Sequence, residues 1–193
     1  GPYFIKRLRA LGVPLKRLLV LPDEPEVIGE EVRRCSEVAE HVFTTGGIGP
    51  THDDKTFEAI AAGFGVGLEV RSELSQLLDR FGLPVNDATM RMATVPVGSE
   101  LIERPGMAYP VVRFRNIWIL PGVPRLAQQK FETIAPELAG DAVHVSRVHA
   151  RDRETSVAQA LSELDARHPE VTIGSYPRFG EGDWRLIVTL ESL

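Results

Sequence analysis

Residues 44–58, TTGGIGPTHDDKTFE, form the most informative segment of the sequence. The apolar residues within 41–45 predict a strand, glycines follow at once, and a helical spacing of apolar residues starts at Phe57. At such a junction, backbone N–H groups and the positive end of the helix dipole meet beyond the carboxyl edge of a sheet. Three glycines without side chains would let an anion reach the main chain, although a purely structural tight turn explains them equally well. The stretch has neither the Gly-Lys-Ser/Thr of a P-loop nor the third glycine of the dinucleotide fingerprint.

Acidic residues stand beside the glycines. Asp53 and Asp54 follow the loop directly, where they would repel a bare phosphate. They suit a divalent cation that bridges to a phosphate, or a ligand that donates N–H groups. Asp54 is also placed to cap the next helix, and the residues leave these roles open. Asp23 follows another predicted strand, residues 17–21, so we expect it at the same edge of a parallel sheet.

Composition restricts the class of protein. The chain has 193 residues, 43% of them hydrophobic and 25% charged, which is typical of a globular protein with a real core. A net charge of −5 argues against nucleic acid as a main partner, and no apolar run is long enough to span a bilayer. The single cysteine, Cys35, lies on the apolar face of a predicted helix and excludes an internal disulfide. These features fit a cytoplasmic setting without a signal peptide.

Residues 1–140 alternate helices with short apolar strands. This order predicts an α/β domain with a mainly parallel sheet covered by helices on both faces. The predicted helices lie within 3–11, 28–39, 57–64, 74–81, 86–92 and 127–138, and the predicted strands within 17–21, 41–45, 111–114 and 117–120. The last two strands are separated by Arg115 and Asn116, the spacing of a two-residue hairpin.

The pattern changes after residue 140. Residues 141–193 predict a β-α-β-β block, with strands at 143–148, 171–176 and 184–190 and a helix after Thr155. We therefore expect a second, small α+β domain. The block lacks the Gly-x-x-Gly loop that clamps a nucleic-acid backbone and is not rich in Lys or Arg, so we interpret it as a packing or assembly element.

A longer motif, TTGGIGPTHDDKTFEAI at 44–60, resembles the signature of the CinA family of competence/damage-inducible proteins. It is equally similar to the N-terminal, molybdopterin-binding-like domain of eukaryotic FAD synthase. Further segments match in the same order, namely 21–24, 92–93, 95–96, 120–124 and 174–177. The resemblance covers nearly the whole chain and implies a three-layer α/β/α molybdopterin-binding fold over 1–140, followed by a KH-like domain over 141–193.

The resemblance also implies functional residues. In molybdopterin-binding enzymes the acids after the glycine loop and in the Pro-Asp-Glu stretch are functional, and they correspond to Asp54 and Asp23, with Asp53 as a further catalytic candidate. Candidate metal ligands are Asp53, Asp54 and Glu58. The candidate ligand-binding residues are Thr44, Thr45, Gly46, Gly47, Gly49, Pro50, Thr51, His52, Pro121 and Gly122. For His52, a hydrogen bond within the loop is favoured over a metal bond, because no second histidine lies at ligand spacing.

By resemblance, the activity is that of a hydrolase, the metal-dependent cleavage of a pyrophosphate in ADP-ribose or FAD. The implied cofactor is Mg²⁺, Mn²⁺ or Co²⁺, with K⁺ as a further candidate. Molybdopterin binding in molybdenum-cofactor biosynthesis is one alternative, and a non-catalytic assembly module is another. The expected partner is a small phosphorylated ligand rather than nucleic acid or a membrane, and a homo-oligomer is expected because relatives commonly self-associate.

Two family segments have no counterpart in the sequence. The first is a strand with a Gly-x-Glu-Leu/Ile-x-x-Gly segment ahead of the first helix, which we expect to be missing from this version of the chain rather than from the protein. The second is the C-terminal nicotinamide-nucleotide amidase domain of full-length CinA, so deamidation of nicotinamide mononucleotide is not expected here.

Overall fold

The computed structural model describes residues 1–84, 86–138, 144–179 and 182–192. The chain forms two compact units, Lys16–Pro136 and a second made of Gly1–Leu15 with Glu137–Leu193. This division groups the first helix with the C-terminal residues, whereas the sequence predicts a single domain over 1–140. The predicted boundary at residue 140 itself falls outside the described residues.

The larger unit is a mixed α/β structure. In chain order its elements are α2 (Pro25–Val38), β1 (Val42–Thr45), α3 (Thr56–Gly63), β2 (Leu68–Val70), α4 (Ser72–Arg80), α5 (Asp87–Met92), β3 (Thr94–Pro96), β4 (Glu100–Ile102), β5 (Val111–Phe114), β6 (Ile117–Leu120) and α6 (Pro124–Leu138). One sheet has the order β1-β6-β5-β4, and β2 and β3 form a separate antiparallel pair. The α/β class is confirmed. Among the described strands, however, only β1 and β6 pair in parallel, so the sheet is mixed rather than mainly parallel.

The strand predicted at 17–21 is not formed, and this prediction was wrong. The segment pairs with no described strand, and most of its residues are exposed, with Val20 at 94%. Apolar content favours a strand only where a neighbouring strand supplies a hydrogen-bonded ladder and a covered face. Without this strand, the described sheet has one parallel pair fewer than expected.

The hairpin between β5 and β6 is confirmed, with Phe114 opposite Ile117. Arg115 adopts a φ of 54°, and its guanidinium lies over the Phe64 ring, 4.7 Å from the centroid. The Asn116 amide donates to two carbonyls at the end of α2, one of them 2.8 Å away. This turn therefore connects the sheet to α2 by direct hydrogen bonds.

The core of the larger unit lies between β5, β6 and the helices α2 to α4. Every residue of β6 is buried, as expected for a strand flanked on both sides in the sheet and covered on both faces. The buried cluster consists of Ile28, Val32, Phe57, Ala59, Ile60, Leu74, Leu78, Ala93, Val95, Val112, Phe114, Ile117 and Ile119. The helical periodicity of α2, α3 and α4 places their apolar residues in this cluster.

The smaller unit contains the predicted β-α-β-β block, which is confirmed. Its elements are α1 (Pro2–Ala10), β7 (His144–Ala150), α7 (Glu154–Arg167), β8 (Thr172–Pro177) and β9 (Leu186–Ser192). The sheet is antiparallel in the order β7-β9-β8. An ion pair between Arg9 and Glu191 connects α1 to β9, and Ser175 on β8 donates to Glu154 on α7.

None of the helices in the described ranges combines the length and the apolar character that crossing a membrane requires.

A half-buried lysine on α6 holds the segment ahead of β5 in place. Lys130 Nζ on α6 donates to the carbonyls of Tyr109 and Pro110 at 2.6 and 2.5 Å, and lies 5.0 Å from the centroid of the Tyr109 ring. Burial lowers the pKa of Lys130 from its ordinary 10.5 to about 8. The Tyr109 hydroxyl donates to the Met92 carbonyl at 2.7 Å, and burial raises the pKa of Tyr109 above its ordinary value.

This clamp predicts a pH-dependent stability. Between pH 8 and 10 the unfolded chain keeps the Lys130 proton that the folded chain has lost, so the free energy of unfolding rises with pH. Above pH 10 the unfolded chain loses the Tyr109 proton first, which reverses the trend. We expect the wild type to gain on the order of 2 kcal/mol over Lys130→Met between pH 8 and 10 in denaturant titrations. Parallel curves for the two proteins would contradict the assignment.

Candidate functional site

The glycine loop leaves β1 in a conformation that requires glycine. Gly46 and Gly47 have φ angles of 98° and 67°, in the left-handed region that other residues rarely adopt. A Cβ on Gly47 would lie 2.3 Å from Thr56 Oγ1. That hydroxyl donates to the Gly46 carbonyl at 2.8 Å, and the Thr56 N–H donates to the Gly47 carbonyl at 2.9 Å. Thr56, the first residue of α3, therefore fixes the conformation of the loop through these two hydrogen bonds.

Asp54 stabilises the second half of the loop, residues 49–51, through hydrogen bonds. Its Oδ2 accepts the Thr51 N–H at 2.9 Å and the Thr51 hydroxyl at 2.5 Å, and a Cβ on Gly49 would lie 2.7 Å from the same oxygen. Burial raises the pKa of Asp54, but hydrogen bonds from Thr51 and from the Gly49 backbone outweigh this and hold the pKa below its ordinary value. The helix cap considered for Asp54 is not formed, because Lys55 occupies the N-cap of α3 without a side-chain bond and Asp54 reaches backward into the loop.

A cavity of about 80 Å³ opens against this loop. It is lined by Gly47, Ile48, Gly49, Asp54, Phe57, Glu58, Leu68, Arg91 and Thr94. Four of these were predicted site residues: Gly47, Gly49, Asp54 and Glu58. Arg91 and Thr94 come from the end of α5 and the start of β3. Neither was a predicted site residue, although both lie directly beside the matching segments 92–93 and 95–96.

The other predicted site residues do not line the cavity. They are Asp23, Thr44, Thr45, Gly46, Pro50, Thr51, His52, Asp53, Pro121 and Gly122. Asp23 is exposed, and the strand expected to position it is not formed. The Thr44 hydroxyl is buried and has no hydrogen-bond partner in the described part of the chain.

A second loop packs directly on the glycine loop. A Cβ on Gly122 would lie 3.1 Å from the Gly46 Cα, so the two backbones approach without side chains between them. The Gly46 N–H also donates to the Leu120 carbonyl at 3.0 Å, which continues the pairing of β1 with β6 into the loops. Residues of the 120–124 segment thus contact the glycine loop at Gly46 but do not line the cavity.

The acids do not form a complete metal site. Among the residues that the structure describes, no group of three or more His, Cys, Asp or Glu side chains could hold a metal ion. Asp54 Oδ2 already accepts two hydrogen bonds from Thr51, and Glu58 Oε2 pairs with Lys55 Nζ at 2.9 Å. The predicted ligand set of Asp53, Asp54 and Glu58 therefore does not fit a cation held by these side chains alone.

Removing the Asp54 carboxylate is expected to loosen the loop. By analogy with lost capping bonds, Asp54→Ala should lower the free energy of unfolding by about 1 kcal/mol, and Asp54→Asn should lower it less because an acceptor oxygen remains. Since the folded-state pKa is depressed, the contribution is present above the ordinary value of 3.8 and is lost as the pH falls through the lower folded value. Urea titrations at pH 7 and pH 3 test this. A pH-independent difference between Asp54→Ala and the wild type would argue against it.

Comparison with known proteins agrees with this architecture. Residues 1–140 match the family model described as "Probable molybdopterin binding domain", and residues 142–193 match that of "FAD synthase, middle domain". A "Probable FAD synthase" of Caenorhabditis briggsae is 30% identical over 98% of this chain and 42% of its own length. A "CinA-like protein" of Salinibacter ruber is 33% identical over 89% of this chain and 45% of its own length. The chain thus spans less than half of either relative.

A solved structure shows the same fold. The crystal structure of CinA from Thermoplasma acidophilum, a protein whose function is described as unknown, superposes with a TM-score of 0.63 at 26% identity. The match covers 71% of this chain and 85% of that one. With the family match over 1–140, these findings show that the chain belongs to the molybdopterin-binding-domain family, as a CinA-family protein related to the N-terminal domain of FAD synthase.

Proposed function

We propose that the chain binds a phosphorylated pterin or adenine dinucleotide, with a phosphate group against the backbone of residues 47–49. The observation that carries this proposal is the cavity wall, where Gly47 and Gly49 have no room for a Cβ and the main chain itself faces the cavity. Bare backbone at the start of a helix is suited to an anion. A cavity of about 80 Å³ is too small for a whole drug-sized ligand, for which pockets begin at roughly 300 Å³, so only a small group such as a phosphate would enter it. The rest of the ligand would lie outside it.

The relatives support two classes of ligand. The family of molybdopterin binding domains supports a pterin, and the FAD synthases support an adenine dinucleotide. Both classes present a phosphate, so the same loop would serve either. We favour the dinucleotide because both the first 140 residues and the last fifty resemble parts of FAD synthase.

We further propose that the bound pyrophosphate is hydrolysed. Water would attack one phosphorus, the bridging P–O bond would break, and ADP-ribose would yield AMP and ribose phosphate, or FAD would yield AMP and FMN. The N–H groups of Gly47 and Ile48 would stabilise the charge that develops on the phosphoryl oxygens, since the Gly49 N–H already donates to Asp54. We assign no step to a metal ion, because the acids near the loop do not make a complete ligand set.

Binding and cleavage are tested separately. Purified chain is mixed with ADP-ribose, FAD or molybdopterin, and the melting temperature is measured, since a ligand at a hundred times its Kd stabilises the folded state by about 2.7 kcal/mol. AMP release is then followed with Mg²⁺, Mn²⁺, Co²⁺ or K⁺ and with a chelator. We expect a higher melting temperature with a dinucleotide and release of AMP.

The alternatives predict other results. A pterin that stabilises the protein, with no cleavage of any dinucleotide, favours a role in molybdenum-cofactor biosynthesis. Absence of stabilisation by every ligand contradicts the binding proposal and favours a non-catalytic assembly module, for which self-association in solution would be the property to measure.

A further inference from the structure

The charged side chains that line the cavity differ in whether they already have a hydrogen-bond or ion-pair partner. Its charged side chains are Asp54, Glu58 and Arg91. Asp54 is occupied by hydrogen bonds from Thr51, and Glu58 is paired with Lys55. Arg91 is exposed and makes no hydrogen bond or ion pair with any residue that the structure describes. It is therefore the one lining cation in the described part of the chain that is free to meet an anion.

The backbone that carries Arg91 is held at both ends. At the start of α5, Asn86 and Thr89 form a reciprocal capping box, and the Thr89 hydroxyl also donates to the Pro84 carbonyl at 2.5 Å. At its end, the Thr94 hydroxyl donates to the Met90 carbonyl at 2.7 Å. A short helix fixed in this way presents Arg91 to the cavity from a constant position, so less backbone entropy is lost when the arginine binds a ligand.

We propose that Arg91 binds the phosphate that occupies the glycine-loop cavity, so that the phosphate lies between the guanidinium and the backbone of residues 47–49. This inference rests on the proposed function and deepens it by naming the recognised group, a phosphate monoester or one phosphate of a pyrophosphate. A guanidinium makes two parallel hydrogen bonds to phosphate oxygens, which a lysine ammonium does not. It also offsets the repulsion that Asp54 and Glu58 would exert on the anion.

The test measures binding by calorimetry with the full chain. ADP-ribose, FAD and inorganic pyrophosphate are titrated into the wild type, Arg91→Met and Arg91→Lys. Arg80→Met, an exposed arginine on α4 that does not line the cavity, is the matched control. We expect Arg91→Met to weaken binding about 10- to 100-fold, Arg91→Lys to weaken it less, and Arg80→Met to leave it unchanged. Raising NaCl from 50 to 500 mM should weaken binding by the wild type more steeply than by Arg91→Met.

The outcomes separate the two proposals. A wild type that binds none of the phosphorylated probes overturns the proposed function and this inference together. A wild type that binds while Arg91→Met binds equally well, with the same salt dependence, overturns the role of Arg91 alone. Because Arg91 is exposed and unpaired, its variants should melt at the wild-type temperature. Arg91→Lys provides a second measurement if Arg91→Met does not fold.

Discussion

Gly47→Ala is expected to lower the free energy of unfolding by about 2–4 kcal/mol, because two separate effects act at one position. The left-handed φ of 67° strains any residue with a Cβ, by about 1 kcal/mol. The new methyl would also stand 2.3 Å from Thr56 Oγ1, and overpacking of this kind adds about 1–3 kcal/mol. Moving Thr56 would in turn break its hydrogen bonds to the loop carbonyls. Chemical denaturation measures the loss directly.

Gly65 provides the matched control for this prediction. Its φ of 64° is nearly that of Gly47, but nothing lies within 4 Å of a Cβ built there. Gly65→Ala should therefore show the conformational strain alone, about 1 kcal/mol. Equal losses for the two variants would show that the contact with Thr56 does not constrain the loop.

Gly47→Ala should also lose phosphate binding, since Gly47 lines the cavity.

Gly29→Ala is expected to destabilise the protein by about 2 kcal/mol, although the same change inside an ordinary helix stabilises by up to about 1 kcal/mol. The reason is the close approach of α2 to α3. A Cβ on Gly29 would stand 2.5 Å from the Ala59 carbonyl oxygen and 3.2 Å from the Gly63 Cα. These are backbone atoms, so the helices themselves must separate and the core between them must loosen.

The neighbouring exposed position tests this explanation. Glu30 is exposed on the same helix, so for Glu30→Ala we expect a change in the free energy of unfolding within about 0.5 kcal/mol. Thermal or denaturant unfolding of both variants gives the comparison. An increase in stability for Gly29→Ala would mean that the helix preference of alanine prevails and that the two helices can move apart without loss.

Much of the fold could be predicted from local sequence patterns. The helices α2, α3 and α4 follow from apolar residues repeating every three or four positions, and α5 follows from the cap at Asn86. The hairpin of β5 and β6 follows from the two polar residues between apolar runs. The strands β2, β3 and β4 were not predicted, since three residues each are too few to show an alternation.

The candidate site was likewise predictable from the sequence only in part. Residues 44–58 indicated a glycine loop between strand and helix, and Gly47, Gly49, Asp54 and Glu58 do line one cavity. The role of Asp54 depended on which donor it would meet, and the structure pairs it with Thr51 rather than with the helix end. The placement of Asp23 depended on a strand at 17–21 that has no described partner.

The glycine loop and the helices could be predicted from the sequence, because conformation at glycine and helical periodicity are properties of neighbours along the chain. The residues that surround the loop depend on the tertiary fold. Arg91 lies far from residue 47 in sequence, and it reaches the cavity because β3 packs against α3 and α5 packs against β3. Strand pairing and the contact between Gly29 and Gly63 likewise depend on contacts in space. Those contacts are set by how the whole core packs, which no local pattern specifies.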